Sequence, residues 1–115
     1  MTELVIVLTT VPDVDMGERL ARTLVEERLA ACVNVSAAMV SVYRWRGAVA
    51  RDEERQLVIK TTRARVDALR RRVRELHSYE LPEWLVCPVL DGSAEYLNWV
   101  RQETETPAHE PVTGP

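Results

Sequence analysis

The side chains best equipped for chemistry in this sequence are few: Cys32, Cys87, His77, Tyr79, Glu80 and Lys60. Three of them crowd into HSYELPE (His77–Glu83), a stretch interrupted by Pro82, and Cys87 follows four residues on. A thiol and an imidazole can form a nucleophile–base pair, here Cys32 with His77, with Glu80 orienting the ring. Acyl-transfer chemistry of that kind also needs oxyanion donors. No glycine-rich elbow flanks Cys32 in LAACVNV, where a free cysteine reads as a small hydrophobe. We therefore expect no catalytic residue, and a chain that is not an enzyme. The same two ligand types suit copper or zinc, which makes Cys32 and His77 the candidate metal ligands, with Glu80 as an oxygen donor. Each also has an ordinary role: a histidine at a helix C-terminus offsets the helix dipole, and Cys87, between Val86 and Pro88, reads as core.

A third possibility is a small ligand held between subunits. The three Tyr and three Trp all fall after residue 42, and phenylalanine is absent. These rings join apolar area to a hydrogen-bonding tip, which suits interfaces and cleft walls. The candidate interface cleft is Lys60, His77, Tyr79, Glu80, Trp84, Tyr96 and Trp99, with Lys60 able to meet Glu80 or an anionic ligand.

The chain that must position these groups has 115 residues, 46% of them hydrophobic, and a net charge of −3. That length suits one compact domain. The acidic balance disfavours nucleic acid as a partner. No apolar run approaches the roughly 20 residues of a membrane span, and MTELVIVLTTVPD carries an acid where the basic region of a signal peptide would lie. A cytoplasmic location is expected, with no membrane partner and with Cys32 and Cys87, 55 positions apart, as free thiols. The arginines of RRRVR (Arg70–Arg74), with Arg63 and Arg65, read as a solvated helix face.

Hydrophobic periodicity supplies the elements. ELVIVLTT (3–10) is a β-branched apolar run of the kind a covered strand shows. After Pro12, with Asp15 three residues before Glu18 as a capping-box-like start, Met16, Leu20 and Leu24 and the adjacent row Ala21, Val25 and Leu29 give a helix from about Met16 to Ala30. CVNVSAAMVSVYRWRG alternates as a long strand whose apolar phase slips by one near Ala38, which predicts a bulge or bend. AVARDEERQLVIKTT follows, strand-like in its second half, so the two runs make a long hairpin with a charged tip near Gly47–Glu54. Thr62 caps a second helix bearing Val66, Leu69, Val73 and Leu76, which ends near His77 because Pro82 blocks continuation. EWLVCPVL is a last strand that Pro88 pushes to a sheet edge, and Ser93 caps a short final helix carrying Leu97 and Val100. The tail from Thr104, which includes His109, lacks periodicity and is expected to be disordered.

The order β-α-β-β-α-β plus a helix is the α+β, ferredoxin-like plan, an antiparallel sheet with two helices on one face and the other face open. We divide the chain into a folded domain, residues 1–103, and a tail, residues 104–115. RNA-binding modules share this order but need aromatic rings in the first and third strands, and VIVLTT and QLVIKT have none.

The motifs TTVPD, RLAACVNV, SVYRWRG, LVIKT, LHSYELPE and EYLNWV occur in this order, and the series resembles the CutA family of divalent-cation tolerance proteins from about Leu4 to Arg101. The resemblance implies a ferredoxin-like protomer in a tight homotrimer akin to PII-type signalling trimers, with the long hairpin reaching to neighbours. It also implies a link to copper and divalent-metal tolerance, copper or another divalent cation as the bound ion, and no defined catalysis. Ser78 stands where the family's usual HPYE has proline; Thr9 and Arg72 stand where some members carry cysteine, so a thiol-rich copper site is not carried over, although Cys32 is retained. The expected role is divalent-cation tolerance, with metal ions or a small ligand bound at subunit interfaces. The alternative is a PII- or ACT-like ligand-sensing module without metal dependence.

Overall fold

A computed structural model describes residues 2–106. Strand β1 (Leu4–Val11) is followed by helix α1 (Val14–Glu26), then β2 (Cys32–Val35), β3 (Met39–Trp45) and β4 (Ala48–Thr62). A 3-10 turn (Arg63–Arg65) leads into α2 (Val66–Leu76), and β5 (Leu85–Pro88) and α3 (Ala94–Glu103) complete the fold. The sheet is antiparallel with order β2-β4-β1-β5, β3 continuing the hairpin against β4. This is the ferredoxin-like arrangement, with β5 at an edge where Pro88 leaves no central ladder short of a donor.

One sheet face carries the core. Val5, Val7 and Val11 of β1 and Leu57 and Ile59 of β4 pack with Leu20, Leu24 and Leu29 and with Leu69 and Val73 of α2. Val25, expected on the buried side of α1, is exposed: within the helix Gly17 and the Met16–Leu20–Leu24 row point inward, and Leu29 joins the core from beyond its end. Helix α1 also begins and ends earlier than its periodicity suggests. Asp13, not Asp15, is the cap, its Oδ1 accepting the Met16 N–H at 2.9 Å. At the other end Arg28 adopts φ 61°, and the N–H groups of Arg28 and Leu29 donate back to the carbonyls of Val25 and Leu24. That pair of reversed bonds is a Schellman stop, here with arginine in the position usually given to glycine. The Arg28 guanidinium then donates to the carbonyls of Gln102 and Glu103, closing the end of α3.

The phase slip near Ala38 is a bulge. Val35 pairs with Leu57 and Met39 with Glu54, so three residues on one strand face two on the other. The Gln56 N–H left over by the mismatch donates to Ser36 Oγ at 2.8 Å. Because cross-strand partners share a face, the extra residue keeps Val40 and Val42, opposite Glu53 and Arg51, on the same face as Val33 and Val35, opposite Ile59 and Leu57. The hairpin outruns the helices, and there Val40, Val42 and Val49 are exposed.

The hairpin tip differs from expectation. All of Ala48–Thr62 is strand, Trp45 pairs with Ala48, and the turn is Arg46–Gly47 alone, at φ 52° and 84°. Two consecutive positive φ values give the type I′ geometry that matches strand twist. The charges of RDEER are therefore strand positions. Thr62 precedes the 3-10 turn without a side-chain capping bond, so α2 itself starts at Val66.

The second sheet face is covered only at its ends. Val100 and Leu97 of α3 close over Leu4 and Ala31 at one end, and the segment after α2 closes over Thr10 at the other. Thr104, placed in the tail by its sequence, is buried, its hydroxyl donating to the Val100 carbonyl at 2.9 Å. Residues 107–115, including His109, lie outside the described part. Among the described residues no helix is long and apolar enough to cross a membrane.

Candidate functional site

Between the β3–β4 hairpin and the segment after α2 lies a cleft of about 540 Å³, lined by Thr10, Ser41, Tyr43, Trp45, Asp52, Glu54 and residues 78–81 and 83. Strand alternation builds one wall. Ser41, Tyr43 and Trp45 share a face of β3, with Asp52, Ala50 and Ala48 directly opposite. The alanines leave room beside the two rings, and Glu54, two residues beyond Asp52, extends the same row.

The other wall is HSYELPE, held by His77. This residue caps the C-terminus of α2, its N–H donating to the Val73 carbonyl, and the chain then turns extended. The imidazole Nδ1 accepts the Tyr79 N–H at 3.1 Å, which leaves Nε2 as the N–H donor to the Thr10 carbonyl, 2.6 Å away. The Tyr79 ring lies 4.7 Å from the imidazole, and its hydroxyl donates to Glu54 Oε2 at 2.9 Å. Burial, followed by the Glu54 hydrogen bond, raises the Tyr79 phenol well above its ordinary value. Tyr43 donates to Asp52, and that bond is the first cause of the rise in its own phenol. Both phenols thus stay protonated donors near neutral pH.

The lining holds four carboxylates, Asp52, Glu54, Glu80 and Glu83, and no lysine or arginine among the described residues. Glu80 pairs with Arg46 at 2.8 Å, and Glu83 accepts from Gln56 Nε2 at 3.2 Å. Asp52 and Glu54 are met by phenols, and among the described residues no cation pairs with either.

The structure brings together only part of the set marked in the sequence. Tyr79 and Glu80 line the cleft and His77 supports it. Lys60 does not meet Glu80; it sits mid-sheet on the open face, in one cross-strand row with Cys32, Ile6 and Cys87. Trp84 packs against the main core. Tyr96 and Trp99 stack on α3, their rings 5.5 Å apart, and neither lines the cleft. Sequence reasoning misses Ser41, Tyr43, Trp45, Asp52, Glu54 and Glu83. The period-two spacing of 41, 43, 45 and of 52, 54 is the available signal, hidden when RDEER is read as a loop.

Cys32 and His77 do not converge. Cys32 is level with Ile6, whereas His77 holds Thr10, four residues along β1, on the order of 13 Å. Both imidazole nitrogens are engaged, and among the described residues no group of three or more His, Cys, Asp or Glu is arranged to hold a metal ion. The implied metal therefore does not fit on Cys32 and His77 of one protomer, nor does a Cys–His nucleophile pair form. Both cysteines are half-buried free thiols on the open face, not core residues. Three strand spacings, roughly 14 Å, separate them, beyond the reach of a disulfide.

The family model described as CutA1 divalent ion tolerance protein matches residues 5–103. The divalent-cation tolerance protein CutA of Thermus thermophilus is 46% identical over 99 residues, covering 86% of this chain and 96% of that protein. Protein CutA 1, chloroplastic, of Oryza sativa is 41% identical over 100 residues, 87% of this chain but 56% of the relative, so the chain spans about half of that longer protein. The solved structure of the Thermus thermophilus divalent cation tolerance protein superposes with a TM-score of 0.87 at 44% identity, covering 89% of this chain and 99% of that one.

Proposed function

Because the chain belongs to the CutA1 divalent ion tolerance family, we propose that it serves in divalent-cation tolerance as a cytoplasmic homotrimer whose subunit boundaries carry the acidic, aromatic cleft. The observation that carries this reading is the acidic balance of that cleft: it is lined by four carboxylates, and among the described residues Glu80 alone of the four is paired with a cation, Arg46. Such a field concentrates cations, copper among them, without a preformed ligand set. The hairpin that forms one wall also exposes the valines that would meet neighbouring subunits. A reducing cytoplasm suits two unpaired thiols on one face.

A second reading is a PII- or ACT-like sensor of a small ligand with no metal dependence. It is favoured by the engagement of both His77 nitrogens in holding the cleft wall. Calorimetry with Cu(I), Cu(II) and Zn(II) separates the two. Under the tolerance reading Cu(II) or Zn(II) binds the wild type, and Glu54→Gln weakens that binding by about threefold or more. Cys32→Ser and His77→Ala test the thiol and imidazole as direct ligands. Binding of none of the three ions would leave the sensor reading standing.

A further inference from the structure

We propose that the cleft between the hairpin and HSYELPE binds an organic ammonium ion, its amino group on Asp52 and Glu54 and its apolar body against Tyr43, Trp45 and Tyr79. This rests on the reading of the cleft as a cation site and names the class of cation.

Size is the first ground. A cleft of about 540 Å³ lies within the range of small-molecule pockets, roughly 300–1,000 Å³. A bare metal ion would leave most of it empty, and it would want a convergent ligand set that the described residues do not provide.

Hydrogen-bond valence is the second. Ionised carboxylates only accept, so a ligand seated on Asp52 and Glu54 must bring donors. Tyr79 occupies Oε2 of Glu54 and Tyr43 occupies Oδ2 of Asp52. Each phenol fixes its carboxylate and leaves the second oxygen for an N–H of the guest. An ammonium group carries up to three such donors and cancels the charge of Asp52 and Glu54, with which no cation pairs among the described residues.

The aromatic wall is the third, and an acidic patch alone would lack it. Tyr43 and Trp45 stand at alternate positions of β3 with only Ala50 and Ala48 opposite, and Tyr79 closes the far side. Aromatic faces attract cations and also bury an apolar body, a combination neutral polar guests use less well. The Arg46 guanidinium lies 5.2 Å from the Trp45 ring centroid, a contact of the same kind made within the chain.

Benzylamine is the probe and benzyl alcohol its uncharged counterpart, each titrated into the full protein by calorimetry and by tryptophan fluorescence, with ZnCl2 in parallel. Benzylamine is expected to bind at least about tenfold more tightly than benzyl alcohol, since the charge-assisted bonds are lost in the alcohol. Glu54→Gln combined with Asp52→Asn is expected to remove most of that preference while the circular dichroism spectrum and unfolding midpoint stay close to wild type. Trp45→Leu, which leaves both acids in place, should weaken the amine by several-fold. Equal binding of amine and alcohol, failure of the amine to bind, or an amine affinity indifferent to the acid substitutions would overturn the proposal. Zinc binding that depends on Glu54 without amine binding would overturn it while sparing the cation reading; binding of neither would remove both.

Discussion

At the scale of single residues, the cleft rests on side chains whose second bonds matter more than their identities. His77 looks like a ligand or base in the sequence, yet each of its nitrogens is committed to backbone, one to Thr10 and one to Tyr79. A chemical residue type thus leaves the role open, because sequence does not show which lone pairs the fold consumes. Tyr79 illustrates the coupling to pH. Its folded-state phenol lies above the ordinary value of 10.0, chiefly through burial and then the Glu54 bond. The stability it contributes is therefore fully present below about pH 10 and declines as pH rises further, toward the folded-state value. Urea unfolding between pH 8 and 11 should show this alkaline fall, and Tyr79→Phe should flatten it; an unchanged slope would exclude Tyr79 as the source. Thr9 makes the opposite case. Its hydroxyl is fully buried and has no hydrogen-bond partner among the described residues. Thr9→Val keeps the shape and removes the unsatisfied group, so a gain of about 1 kcal/mol in unfolding free energy is expected.

At the scale of elements, most of the fold is legible in the sequence because periodicity reports burial directly. Alternation over 32–45 even betrays the bulge, since a lone parity change is worth making only if one extra residue restores the face. The hairpin tip is not legible, and the reason is local: a type I′ turn normally advertises itself as Asn-Gly or Asp-Gly, whereas here arginine occupies the first left-handed position. The same substitution of arginine for a permissive residue ends α1 at Arg28. Trp84, Tyr96 and Trp99 lie away from the cleft within the chain, as shared aromatic character carries no information about which face of which element a ring occupies. The turn yields a paired prediction. Gly47 has φ 84° and no atom within 4 Å of the place a Cβ would take, so Gly47→Ala meets only backbone cost and should destabilise by about 1 kcal/mol. Arg46→Asn relieves strain at φ 52° and gives up an ion pair whose side chains are 68% and 72% exposed. Exposed pairs of this kind contribute little, so a net gain of about 0.5 kcal/mol is expected. Thermal unfolding of the two variants should move in opposite directions.

At the scale of the whole molecule, the protomer leaves apolar surface on both sides of its sheet. On the helix side, Val40, Val42 and Val49 are 52%, 66% and 67% exposed where the hairpin passes beyond the core. On the open side, Ile6, Leu8 and Val58 share neighbouring cross-strand rows with Leu85, itself 54% exposed, and the covering α3 and HSYELPE segments reach only the ends. Contiguous apolar surface rimmed by charge marks an interface, and the edge strands β3 and β5 are further unpaired template. A homotrimer would bury such surface on both sides of each protomer. If assembly supplies part of the stability, the unfolding midpoint must rise with protein concentration, because mass action stabilises whatever binds only the folded chain. Sedimentation equilibrium is therefore expected to give three times the chain mass at micromolar concentration, and the midpoint to climb across a hundredfold dilution series. Val42→Asp, which touches neither the core nor the cleft face, should shift the mass downward and lower the midpoint. Val58→Asp tests the open face in the same way. A wild-type mass equal to one chain, with a midpoint independent of concentration, would make the exposed valines mere surface and remove the trimer from the functional reading.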